Sequence, residues 1–236
     1  MTLAEYIDFN RMILDLESEG KVTRTFRRLD AERQWAVINA ILEEAGEHGP
    51  QAMNIKRVAA LAGVAVGSLY QYFGSREKLL DFAIEMVVRI FRDGIQVYRT
   101  YLANLPEPPR LVEAIEAYGM GWEWFSEEKG FTRFFTRAAY VGDPLLNERV
   151  VRPIAEIMLE LVTDLLKGAQ ARGEVRADID LPATARVLHG LVLALYDPQL
   201  LPYLNVYFQV SGEGFPPERT VRAALEMILR GIYVVQ

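Results

Sequence analysis

The 236-residue chain has no cysteine and only two histidines, His48 and His189. The missing cysteines exclude disulfides and thiolate metal sites, and fit a reducing compartment. The few histidines leave little for imidazole ligation. A carboxylate di-metal site in a helical bundle sets Glu three residues before His; here those positions are Ala45 and Arg186. A phosphate-cradling glycine loop and a Gly-x-Ser-x-Gly elbow are also missing. No apolar run approaches the roughly 20 residues that span a bilayer. The opening MTLAEYIDFNRMILDLESEG mixes acids into its apolar positions, unlike the basic start and unbroken apolar stretch of a secretory signal. The expectation is a cytoplasmic protein with no metal, no cofactor and no catalytic constellation.

What is present is a globular balance, 51% hydrophobic and 25% charged residues, enough apolar material for a sizeable core. Net charge is −6, yet the charge is unevenly placed. Between Gly20 and Leu80 nine Lys/Arg face six Asp/Glu, a balance of +3 that leaves −9 for the rest of the chain. A polyanion would approach the basic early segment and be repelled elsewhere.

Periodicity reads as helix almost throughout, an all-α chain. Residues 1–30 form an extension: Leu3, Ile7, Ile13 and Leu16 mark an amphipathic helix, followed by basic Lys21, Arg24, Arg27 and Arg28. That basic stretch is either an arm for DNA backbone or minor groove or a solvated linker. A helix over 31–48 ends at Gly49-Pro50; Asn54 caps a second that stops near Gly63; a third covers about 65–73, and Gly74-Ser75 breaks the chain. A long helix follows over 75–103, then a loop with Pro106, Pro108 and Pro109. Further helices are expected at 110–128 (closing at Lys129-Gly130), 131–141, 143–172, 180–196 and 216–234. The insertion 197–217 is mixed, and LNVYFQV at 204–210 is the one strand candidate.

The informative stretch is Asn54 to Leu80. Two short helices around a turn at Gly63 make a helix-turn-helix, whose second helix enters the major groove. The expected exposed positions are Ala65, Val66, Gly67, Ser68, Tyr70, Gln71 and Tyr72, none charged. Ser68 and Gln71 can bond base edges, and Ala65 and Val66 can meet a thymine methyl. Tyr70, Tyr72, Asn54, Lys56, Arg57, Arg76 and Lys78 stand where phosphates pass, giving affinity and register but no sequence information.

These residues resemble the tetracycline-repressor (TetR) family pattern IA..AGVS.GTLY.YF.SKE.L. The chain has Val58-Ala59, Ala62-Gly63-Val64-Ala65, Gly67-Ser68-Leu69-Tyr70, Tyr72-Phe73 and Ser75-Arg76-Glu77-Lys78-Leu79-Leu80. The match covers about 31–80. Met53-Asn54 replaces the usual Thr pair, and Arg76 replaces Lys, which preserves charge.

The resemblance implies a DNA-binding domain at 31–80 and a ligand-binding and dimerisation domain at 81–236. It implies a homodimer joined through the last two long helices, a palindromic operator, and release by a small, largely apolar effector. Aromatic residues crowd 98–140, and the candidate lining residues are Tyr118, Trp122, Phe125, Phe135 and His189, with Arg133 or Arg137 to pair with a carboxylate. A helical-bundle enzyme and a non-DNA interaction module are the alternatives.

Overall fold

The computed structural model describes residues 8–115 and 129–233, and every regular element among them is helical. Two isolated β-bridges, Val175–Tyr233 and Gly212–Phe215, are the only extended pairings among the described residues. The chain forms two compact units.

The first unit comprises described residues 8–94 and 129–154. It contains α1 (Phe9–Ser18), α2 (Arg24–Arg27), α3 (Ala31–His48), α4 (Ile55–Leu61), α5 (Val66–Phe73) and the start of α6 (Arg76–Ala103). It closes with α7 (Lys129–Val141), α8 (Pro144–Leu146) and a π-helical turn, Asn147–Val151. Short side chains start these helices: Asp8, Asp30 and Asn54 accept the N–H of Arg11, Arg33 and Lys56 at 2.9–3.0 Å. Glycine stops two of them. Gly63 (φ 65°) lets Val64 N–H return to Ala59 O at 3.0 Å, and Gly74 (φ 83°) closes α5.

The compact unit that holds the helix-turn-helix extends beyond residues 31–80 on both sides. Phe26, before residue 31, is completely buried against Tyr72, Phe73 and Phe82, with ring centroids 5.4–5.8 Å apart. After residue 80, α7 packs on α3 so closely that a Cβ on Gly130 would stand 2.7 Å from Leu42 Cβ. Gly130 does not close a helix over 110–128 as expected. It lies inside α7 as a packing residue, and of 110–128 only 111–115 is described as helix. In α1, Met12, Ile13 and Leu16 are buried; Leu3 and Ile7 lie outside the described residues.

The second unit comprises described residues 95–115 and 155–233. It holds the end of α6, most of α9 (Arg152–Ala171), α10 (Leu181–Leu200), α11 (Asn205–Phe208) and α12 (Pro217–Ile232). Arg99 joins α6 to α9 through Asp164 (3.1 Å) and Glu160 (3.7 Å). The free N–H groups of Leu111 and Val112 are taken by Glu174 and the Tyr233 hydroxyl, at 2.8 and 3.1 Å.

The strand candidate at 204–210 is helical over 204–208. Pro202–Leu204 is a 3-10 turn and α11 follows it. The Asn205 side chain then accepts Val210 and Ser211 N–H and donates to Ser211 O, so the local backbone is satisfied within the turn and needs no neighbouring strand. α10 runs four residues past its expected end at Tyr196, with Pro198 inside it.

Candidate nucleic-acid interface

The helix-turn-helix is held by three clamps, two at the start of α4 and one at the end of α5. The first is Glu44 on α3, whose side chain is 1% exposed. Its carboxylate accepts the Asn54 backbone N–H at 2.9 Å and binds the Arg57 guanidinium at 2.6–2.9 Å. Burial alone would raise this carboxyl; Arg57, the Asn54 N–H and nearby His48 outweigh it and hold the group below the usual range. The second is Arg76, at the first position of α6, which donates to Met53 O at 3.0 Å and to Gln51 O. The third is Thr23, which donates its N–H to Tyr72 O (2.9 Å) and its hydroxyl to Gln71 O (2.7 Å). Together these fix the start of α4 and the end of α5.

The expected contact residues divide around these clamps. Ala65, Gly67, Tyr70 and Gln71 are exposed, and Val66 and Ser68 are half-buried. Ala65 is the N-cap of α5 rather than a residue within it. Lys56 and Lys78 are exposed at the starts of α4 and α6, and Asn54 is spent on capping Lys56.

Three residues depart from expectation. Tyr72, expected on the exposed face, is 8% exposed and packs edge-on against Phe73 and tilted against Phe26. It points inward because the helical repeat sets residue 72 with Leu69 and Phe73, away from 67, 70 and 71. Arg57 is committed to Glu44, because a buried carboxylate demands a cation. Arg76 is committed to the carbonyls that precede α4, where backbone acceptors have no helical partner.

The expected effector residues fall into different units. Phe135 is a core residue of the first, 5.4 Å from Phe91. Arg137 donates to Gly46 O (3.1 Å) and Glu47 O (2.8 Å), capping the C-terminal carbonyls of α3, and Arg133 lies 3.4 Å from the Glu47 carboxylate. A cation at a helix C-terminus is favoured by the helix dipole, which explains why both arginines face α3. His189 belongs to the second unit; its Nδ1 is buried without a hydrogen-bond partner among the described residues, and burial pushes the imidazole pKa down. Tyr118, Trp122 and Phe125 lie outside the described residues. A shallow apolar cleft in the second unit is lined by Leu188, Leu191, Leu195, Val221, Leu225 and Ile228, on α10 and α12. No cluster of metal-ligating side chains occurs among the described residues, and no helix there is long and apolar enough to cross a membrane.

Sequence reasoning missed Glu44, Thr23 and Phe26. The signal for Glu44 was an acid on the apolar stripe of α3, between Ile41 and Ala45, with no reason to be inside except a cation elsewhere. Phe26 was a lone large aromatic among basic residues.

Residues 37–82 match the family described as bacterial regulatory proteins, tetR family. The HTH-type transcriptional regulator BetI of Rhizobium meliloti is 24% identical over 204 residues, which cover 80% of this chain and 96% of that protein. A TetR family transcriptional regulator from Chloroflexus aurantiacus has a similar fold, with a TM-score of 0.61 and 18% identity over 91% of this chain and 99% of that one. CprB of Streptomyces coelicolor, solved with its operator sequence, gives 0.58 and 20% over 86% and 89%. The clamped helix-turn-helix is thus the element that the family model describes: residues 37–82 match the tetR family of bacterial regulatory proteins, and the chain as a whole is similar to a transcriptional regulator of the helix-turn-helix type.

Proposed function

We propose that this regulator is a ligand-released repressor that binds a palindromic operator as a homodimer. The observation that carries the DNA part is the exposed, uncharged face of α5 in a motif fixed at the start of α4 by Glu44 and Arg76 and at the end of α5 by Thr23. On this reading Ser68 and Gln71 contact base edges, and Ala65 and Val66 meet thymine methyls. Tyr70, Lys56 and Lys78 take phosphates.

The dimer reading rests on α10 and α12. Val187 and Met227 are 64% and 75% exposed, and Gly190 and Gly231 have open space where a side chain would stand. Of the sixteen residues of α12, only Ile232 is buried within the chain, although its apolar residues share one face. An unfilled face with small residues suits close approach of the same helices from a second copy. The connection between them adds Val206 and Tyr207, 82% and 83% exposed.

The effector reading rests on two buried polar atoms in the second unit, Tyr98 Oη and His189 Nδ1, that have no partner among the described residues. A mostly apolar ligand with one or two polar atoms would satisfy such groups. Its binding would act through α6, which supplies residues to both units and carries Arg76 at its start. An effector shifts DNA affinity only by its own preference for one arrangement.

The test is selection from a random duplex pool, repeated across salt and with Tyr70→Ala. An enriched palindrome with steep salt dependence, lost in the variant, is expected. Failure of refolded, ligand-stripped protein to enrich any duplex would overturn the reading.

A further inference from the structure

The basic stretch before α3 is neither a free arm nor a linker. Phe26 is fully buried, and Gln34, itself 4% exposed, donates to Phe26 O and Arg27 O at 3.3 and 3.1 Å. Thr23 ties the start of α2 to the last carbonyls of α5. A segment braced at both ends cannot reach down into a minor groove. It travels with the recognition helix as one body.

Its four cations divide in two. Lys21 is paired with Asp81 at 2.6 Å and Arg27 with Glu17. Arg24 and Arg28 are exposed and form no ion pair among the described residues. Several carboxylates of this region are matched elsewhere: Glu19 to Arg89, Asp30 to Arg33, and Asp81 and Glu85 to Arg149. Arg24 and Arg28 are four residues apart, on one face of a helical turn, where like charges repel. An anion set between them removes that repulsion.

We propose that Arg24 and Arg28 form a prebuilt phosphate clamp beside the recognition helix, extending the DNA interface beyond the helix-turn-helix motif. The partner is the duplex backbone rather than an acidic protein. Thr23, the residue before Arg24, is bonded to Gln71, which the proposed function sets in the major groove, and the groove is flanked by phosphates. The clamp carries no sequence information and adds affinity and register only. It rests on the DNA-binding reading above.

The experiment uses the full-length chain and the palindrome enriched from the duplex pool, comparing wild type with Arg24→Gln/Arg28→Gln. The logarithm of the binding constant is followed against the logarithm of salt concentration. Each phosphate that the protein neutralises contributes about 0.9 to the slope. The double variant gives up the one phosphate held between the two arginines and should therefore flatten the slope by about 0.9 per protomer, with the same palindrome still preferred. Both side chains are exposed, and unchanged circular dichroism is the check on folding. An unchanged slope in the variant would overturn the clamp while leaving the DNA reading intact. A changed sequence preference would place the arginines in a groove and overturn the phosphate assignment. Wild type that binds no duplex at all would overturn both.

Discussion

Glu44 and Arg57 meet through three hydrogen bonds of 2.6–2.9 Å, and the two partners are unequal: the acid is 1% exposed and the guanidinium 46%. Removing the cation strands a buried carboxylate, whereas removing the acid frees a cation that water can reach. Arg57→Gln should therefore lower the unfolding midpoint more than Glu44→Gln, which should cost about 1 kcal/mol. Urea titration of both variants checks the order; equal losses would contradict the asymmetry.

Acid should loosen the two units in different pH windows. Burial pulls the Glu44 and Asp81 carboxyls up, and Arg57 for the first and Lys21 with Arg149 for the second pull them below their ordinary values of 4.5 and 3.8. Such groups stabilise the fold above those values, and the contribution disappears as pH falls through the depressed folded ones. His189 acts earlier. Burial lowers it from 6.5, so below that pH the unfolded chain binds a proton the folded one refuses, and stability declines. Hydrogen exchange at about pH 7, 5.5 and 4 should show α10 losing protection before α3 and α5.

Gly130→Ala should destabilise the first unit by about 1–3 kcal/mol through overpacking against α3. The contact is Cβ to Cβ at 2.7 Å, so trimming Leu42 to Ala removes the looser contacts at 3.2 and 3.5 Å but not the closest one. Leu42→Ala should accordingly fail to rescue Gly130→Ala in thermal melts.

Tyr70 and Tyr72 should separate binding from folding. Tyr72→Ala empties a buried ring site and should cost about 3 kcal/mol. Tyr70→Ala, at a position 47% exposed, should leave the melting temperature nearly unchanged while weakening operator binding. A stability loss in Tyr70→Ala matching that of Tyr72→Ala would place its ring in the core.

Met227→Asp adds a charge to the exposed face of α12 and should weaken self-association by roughly tenfold or more in sedimentation equilibrium, with helix content retained. An unchanged association constant would remove this face from the interface.

The helix-turn-helix was legible because its signals are local. Asn54, Gly63 and Gly74 act on the backbone within a few residues, and the flanking apolar positions repeat with helical period. What stayed hidden depends on partners far along the chain. Tyr72 and Tyr70 look alike in sequence; the helical repeat sets Tyr72 with Leu69 and Phe73, and the ring of Phe26, far along the chain from it, covers that side. Arg57 and Arg76 are as basic as Lys56 and Lys78; a buried acid on α3 and stranded carbonyls before α4 claim the first two. Arg133 and Arg137 have the charge an effector carboxylate needs, and the end of α3 claims both. The insertion misleads for a local reason instead, because apolar Val206, Tyr207 and Phe208 carry β propensity while the Asn205 side chain closes a turn around them.

The π-helical turn at Asn147–Val151 carries Arg149 to Asp81 (2.5 Å) and Glu85 (2.8 Å). A π turn is an α-helical turn that holds one extra residue as a local bulge. Deleting a single residue there would return the segment to regular α geometry and leave the helices on both sides in register with what they pack against. The casualty would be Arg149, swung off the α6 carboxylates. Among related chains, a one-residue gap at this point should be accepted by the fold, and it should travel with neutral residues at positions 81 and 85.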